Sequence, residues 1–106
     1  MDILQINFHD SNLIRMEVQT SRIVLIIDLC NWKQTWYNDG DSEMVELKII
    51  FYKVSNYIWD SDKLPQEVDY DTILDLEINK NKIKLVLTDS VTSVCEFDYF
   101  GYKICK

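Results

Sequence analysis

The chain has 106 residues, of which 47% are hydrophobic and 12% aromatic, with two glycines and one proline. This length fits one domain spanning residues 1–106, and the composition excludes a disordered polar chain. The net charge of −7 and the pI near 4.5 argue against nucleic acid as a partner, because phosphate binding relies on lysine and arginine.

Hydrophobic and polar residues alternate near the N-terminus, which is typical of half-buried β-strands. Two strands are predicted, with core-facing sides formed by Leu4, Ile6 and Phe8 and by Ile14, Met16 and Val18. The sequence HDSN between them favours a turn, and QTSR fits a tight hairpin loop. The next segment, RIVLIIDLC, is aliphatic on both faces, which predicts an interior strand.

The middle of the chain predicts a loop followed by a long strand. NWKQTWYNDGDSE contains Asp39-Gly40, a pair that favours a turn. MVELKIIFYKV then places Val45, Leu47, Ile49 and Phe51 on one face, which is expected to be the core face.

The C-terminal half predicts a hairpin and two further strands. Residues 73–78 and 83–88 pair around the turn NKNK, and residues 91–100 and YKIC follow. The core-facing residues are expected to be Leu74, Leu76, Ile78, Ile83, Leu85, Leu87, Cys95, Phe97 and Tyr99. The predicted fold is all-β, an antiparallel meander of seven or eight strands forming a sandwich or open barrel. At most one short helical turn is expected, beginning at Pro65.

Charge is concentrated in WDSDKLPQEVDYDTILDLE, residues 59–77, which we call the acidic stretch. It holds seven acids and one base, Lys63, so it supplies six of the seven excess negative charges of the chain. One interpretation is a solvated loop that maintains solubility. The other is a contact surface for a basic partner, because a negative field around apolar side chains speeds capture of a basic protein. The predicted partner-binding residues are Trp59, Asp60, Asp62, Glu67, Asp69, Tyr70 and Asp71.

Aromatic residues cluster in and beside the two longer loops, where alternation along a strand does not explain them. They are Trp32, Trp36, Tyr37, Tyr57 and Trp59. One interpretation is that they fill the ends of the core, and the other is that some are exposed and contribute to binding.

Candidate catalytic and metal-binding patterns fail on spacing. His9-Asp10-Ser11 has the residue types of a hydrolase triad, but neighbouring side chains on an extended chain point to opposite faces. DGDSE alternates acids as a calcium loop does, but Met44 and Ile50 occupy the positions that require glycine and glutamate. We therefore predict no catalytic residue, no metal site, no cofactor and no enzymatic activity.

Cysteine usage and the N-terminal sequence favour a cytoplasmic location. Cys30, Cys95 and Cys105 are odd in number and lack metal-type spacing, so free thiols are predicted. MDILQINFHD has no signal-peptide pattern, and no apolar run is long enough to cross a membrane, so no membrane association is expected.

The segments INFHDSNLIRMEV, RIVLIIDLCNW and IKLVLTDSVTSVCEFDYF resemble the small acidic β-rich immunity proteins of bacterial polymorphic and contact-dependent toxin systems. The resemblance implies an antidote that binds a cognate toxin domain, often a basic nuclease, and blocks its active site or substrate path. It assigns no binding residues. Two other functions stay open: a small-ligand-binding β-barrel, with the aromatic residues lining its cavity, and a hydrolytic enzyme.

Overall fold

The computed structural model describes residues 2–105, which form eight antiparallel strands in one open sheet. The strands are β1 (Asn12–Val18), β2 (Arg22–Cys30), β3 (Met44–Tyr52), β4 (Ser55–Asp60), β5 (Asp71–Asn79), β6 (Lys82–Asp89), β7 (Val91–Asp98) and β8 (Tyr102–Cys105). Three isolated 3-10 turns lie at Ile3–Gln5, Asn31–Lys33 and Pro65–Glu67. The all-β prediction is confirmed, with three such turns where at most one was expected. Within the described residues, no helix is long and apolar enough to span a membrane.

The sheet curls into an open barrel. The strand order is β4-β7-β6-β5-β1-β2-β3-β8, so β3 and β4 lie far apart in the sheet. Residues 53–54 alone connect them, and so short a link spans about 11 Å at most. The sheet must therefore bend until its halves face each other. The rings of Phe97 and Tyr99 accordingly contact Phe51, with centroid distances of 5.2 and 5.1 Å.

The two halves of the sheet are joined by a short seam between β1 and β5. Their pairing is limited to Asn12↔Thr72 and Leu13↔Asp71, whereas β2 and β3 pair along nine residues each. Beyond this seam β1 and β5 diverge. One opening is bordered by the turn at Pro65–Glu67, and the other is covered by the N-terminal segment.

The space enclosed by the sheet is filled by apolar side chains. The predicted core faces of β3, β6 and β7 are confirmed, since the following residues are buried: Leu47, Ile49, Phe51, Ile83, Leu85, Leu87, Cys95 and Phe97. The interior position of β2 is also confirmed, with Val24 and Leu25 buried on opposite faces.

The predicted N-terminal strand at Leu4, Ile6 and Phe8 is wrong, although Ile6 and Phe8 are buried as expected. The Asp2 side chain accepts a hydrogen bond from Leu4 N at 3.0 Å, which caps a 3-10 turn and leaves Leu4 exposed. Ile3 is buried instead. The segment then lies across the barrel opening, held by side-chain hydrogen bonds to its main chain rather than by a strand ladder.

Two β-bulges change which residues face the core. The β1–β2 register shifts between Leu13 and Arg15, so Leu13 is buried and the predicted core residue Ile14 is half-buried. Met16 is buried as predicted, and Val18, the last residue of β1, is exposed. A bulge adds one residue to one strand, which reverses the alternation beyond it. A second shift, between Ile73 and Asp75 on β5, buries Ile73 and exposes the predicted core residue Leu74. The predicted 73–78 and 83–88 hairpin is confirmed, with Ile78 opposite Ile83.

The three cysteines are free thiols in the structure and differ in burial. Cys30 and Cys95 are buried and Cys105 is half-buried. Burial raises the pKa of the Cys95 thiol to about 12, with a smaller contribution from Glu96, so its reactive thiolate form is suppressed at neutral pH.

We expect a thiol reagent at pH 8 to modify Cys105 rapidly in the native protein and all three cysteines after denaturation. Mass spectrometry of the alkylated protein measures both states. Modification of Cys95 at the rate of Cys105 in native protein would contradict the buried position of Cys95.

Candidate functional site

The acidic loop, residues 61–70, joins β4 to β5 and presents most of its carboxylates to solvent. Asp62, Glu67 and Asp69 in the loop and Asp60 at the end of β4 are exposed. The carboxylates of Asp60, Asp62 and Asp69 have no ion pair or hydrogen bond to any residue in the described range 2–105. The structure thus places three of the predicted acids on the loop and the fourth, Asp60, directly before it. Three of the four carboxylates lack a cationic or hydrogen-bonding partner among the described residues.

Asp71 is placed differently from the other acids. Its side chain is fully buried, and Oδ2 lies 2.5 Å from Nζ of Lys63, whose side chain is 14% exposed. Its Oδ1 accepts a hydrogen bond from Asp69 N. The more exposed Asp89 lies 3.7 Å from the same ammonium group. The single base of the acidic stretch is therefore directed inward, and Asp71 anchors the loop rather than contributing to its exposed field.

Several hydrogen bonds fix the acidic loop in one conformation. Trp59 Nε1 donates to Lys63 O at 2.7 Å, and the hydroxyls of Ser61 and Ser93 are 2.7 Å apart. The carboxylate of Glu67 accepts from Leu64 N at 2.9 Å, at the start of the 3-10 turn. A loop held in this way loses little conformational entropy when it binds a partner.

Apolar side chains accompany the acids on this surface. Leu64 and Tyr70 are 55% and 56% exposed. Tyr70 has a positive φ of 55°, a backbone conformation that is unfavourable for a bulky residue. Trp59, also among the predicted partner-binding residues, packs against the core, and its indole N–H donates within the loop. Leu64 was not among the predicted residues, although its place as an apolar residue within the acidic stretch is visible in the sequence.

Of the aromatic residues in and beside the longer loops, some fill the ends of the core and one is exposed. Trp36, Tyr57 and Trp59 pack against the core, as expected for residues that fill the barrel ends. Trp32 is 52% exposed and lies beside the Lys33 ammonium.

We expect Trp59→Phe to destabilise the protein by about 1 kcal/mol, because the ring stays apolar while the hydrogen bond to Lys63 O is lost. Urea unfolding measures the free energy, and hydrogen exchange of residues 61–64 reports the loop. Unchanged exchange in those residues would show that the bond does not fix the loop.

His9, Asp10 and Ser11 are occupied by structural contacts. Ser11 is buried, and its Oγ accepts from Cys30 N at 2.9 Å. His9 Nδ1 is 2.6 Å from Leu74 O. The hydrogen bond from Lys33 lowers the pKa of the Asp10 carboxyl. Among residues 2–105, no group of three or more histidines, cysteines, aspartates or glutamates is arranged to hold a metal ion.

An open cleft of about 390 Å³, the β1 cleft, lies where β1 diverges from β5. Residues 15–18 of β1 form one wall, and Pro65 and Gln66 of the 3-10 turn form another. Tyr57 also lines it, and burial raises the pKa of its phenol to about 12, with a smaller contribution from Cys95. The acidic loop and this cleft are therefore adjacent. Sequence did not reveal the cleft, because it depends on how far β1 and β5 pair.

Comparison of the chain with protein-family profiles, curated protein sequences and solved structures finds no match.

Proposed function

We propose that the protein is an immunity protein, which binds and neutralises a cognate basic toxin domain, such as a nuclease, through its acidic loop. The observation that carries the proposal is the inward direction of Lys63. Because that base is held by buried Asp71, the exposed side of the loop presents Asp60, Asp62, Glu67 and Asp69 without a neighbouring cation from the acidic stretch.

The physical properties of the loop support a binding role. Its carboxylates create a negative field that attracts a basic surface, while Leu64 and Tyr70 offer apolar area that a partner can bury. The hydrogen bonds from Trp59 and to Glu67 fix the loop before binding. A loop that served solubility alone would need neither this order nor the exposed Tyr70 in an unfavourable backbone conformation.

The two alternatives have less support. A small-ligand barrel requires an internal cavity lined by aromatic residues. The interior is instead packed with buried apolar side chains, and its aromatic residues Phe51 and Phe97 contact each other edge to face. A hydrolase requires a nucleophile within reach of a base, whereas the Ser11 hydroxyl is buried and bonded to Cys30 N.

The proposal is tested by co-expression in a bacterial host with each candidate toxin domain found in the reading frames beside this gene. We expect the wild-type chain to restore growth against one of them and to form a complex with it that weakens as salt increases. A chain carrying Asp60→Asn, Asp62→Asn and Asp69→Asn should protect less well at equal expression. If the wild-type chain protects against none of these toxins, the proposed function is contradicted.

A further inference from the structure

The outer edge of β1 carries main-chain groups that point away from β2. The hydrogen bond from Gln19 N to Arg22 O, 2.8 Å long, closes the β1–β2 hairpin and sets the alternation of its ladder. Gln19 therefore belongs to a hydrogen-bonded pair. Because hydrogen-bonded and non-hydrogen-bonded pairs alternate along an antiparallel ladder, the next residue of β1 that is hydrogen-bonded to β2 is Glu17. Met16 and Val18 between these positions therefore direct their N–H and C=O groups to the opposite edge.

These groups find no partner on that edge. Pairing of β5 with β1 ends at Leu13, and a 3.5 Å bond from Tyr70 N to Ile14 O follows it. No residue of the described chain bonds the main chain of Met16 or Val18 outside the β1–β2 ladder. The open edge forms a wall of the β1 cleft, which is accessible from the surface.

We propose that this edge binds an extended basic segment of the partner protein, which adds to β1 as a further strand across the β1 cleft. Main-chain hydrogen bonds to Met16 and Val18 would hold the segment, as in other cases of strand addition. The charge near the cleft favours a basic segment, because the exposed acids Glu67 and Asp69 closely follow the lining residues Pro65 and Gln66 along the chain. Among the described residues that line the cleft, the one cation, Arg15, is paired with Glu17 at 3.1 Å. The inference rests on the proposed function and specifies how the partner is held.

A second copy of this chain is a poorer occupant of the same edge. Two copies paired through β1 would be related by twofold symmetry, which would place two acidic loops at one interface. Like charges brought together in this way oppose association. A basic segment from another protein encounters the opposite field.

The test uses the isotope-labelled full chain and the peptide acetyl-Lys-Val-Lys-Val-Lys-Val-Lys-amide. We expect the amide signals of Met16 and Val18 to shift on titration and their hydrogen exchange to slow. The matched peptide with glutamate in place of lysine should bind at least about tenfold more weakly. Two further peptides, N-methylated at every valine or at every lysine, remove the donors of one strand edge each. One of them should lose about tenfold in affinity while the other retains it.

A pair of variants addresses the same edge from the protein side. Val18→Pro removes the N–H that faces the cleft without removing a bond to β2, so it should reduce peptide affinity about tenfold or more. Val18→Ala keeps that N–H and should retain binding. The dispersed spectrum of each variant confirms that it is folded, and the methylated peptides test the edge independently if Val18→Pro does not fold.

The outcomes separate the inference from the proposed function. Shifts confined to residues 60–71, with both methylated peptides binding as the parent does, would overturn strand addition and leave an acidic binding surface. Equal binding of the lysine and glutamate peptides at Met16 and Val18 would support strand addition and contradict a basic partner. Failure of both the lysine and the glutamate peptide to bind would overturn the inference. Concentration-dependent shifts of Met16 and Val18 without peptide would also overturn it.

Discussion

Lys63→Met is expected to destabilise the protein by about 3–5 kcal/mol, because it leaves the Asp71 carboxylate buried without its cation. The methionine side chain retains most of the apolar length of lysine, so the lost charge is the main change. Urea unfolding followed by circular dichroism measures the free energy of unfolding. A loss below about 1 kcal/mol would show that the ion pair contributes little to holding the acidic loop.

Two variants control this measurement. Asp89→Asn removes the more distant and exposed acid beside Lys63 and should change stability by less than about 1 kcal/mol. The double variant Lys63→Met and Asp71→Asn removes both charges, while the introduced amide keeps an oxygen for the bond from Asp69 N. It should be more stable than Lys63→Met alone. A double variant that is less stable would attribute the loss to packing rather than to the unpaired charge.

Sequence alternation predicted the fold class well because most strands bury one face. The alternate residues of β3, β6 and β7 are buried where the pattern placed them, and the turn NKNK lies between β5 and β6. Alternation does not report bulges, so it assigned Leu74 to the core when Ile73 is buried. Alternation also does not distinguish a strand from an irregular segment that covers the barrel opening. At Leu4 the Asp2 side chain caps a 3-10 turn, so no strand forms there.

The sequence predicted which residues belong to the candidate site, but it did not predict how their side chains are arranged. The concentration of acids is visible in sequence, and the structure places Asp60, Asp62, Glu67 and Asp69 on one exposed surface. The inward pairing of Lys63 with Asp71 depends on burial at the seam between β1 and β5, which local sequence does not encode. The open edge at Met16 and Val18 depends on the same seam.

If the proposed toxin domain is the partner, replacement of Asp60, Asp62 and Asp69 by asparagine is expected to slow association with it about tenfold or more at low salt. These carboxylates have no partner within the described chain, so their removal weakens the field without breaking a contact that supports the fold. The test measures binding kinetics on an immobilised partner at about 0.01 M and 1 M salt. The screening length is about 30 Å at the lower concentration, which retains the field, and about 3 Å at the higher one, which suppresses it. The variant should show a flatter dependence of association rate on salt and a nearly unchanged dissociation rate.

The matched control changes the net charge by the same amount but at a different place on the surface. Asp39→Asn, Glu43→Gln and Glu46→Gln remove three exposed carboxylates from the loop before β3 and from β3 itself. If local placement rather than total charge governs encounter, this control should slow association much less than the acidic-loop variant. Equal slowing would attribute the effect to net charge alone, and unchanged rates in both variants would show that the acidic loop does not steer the toxin.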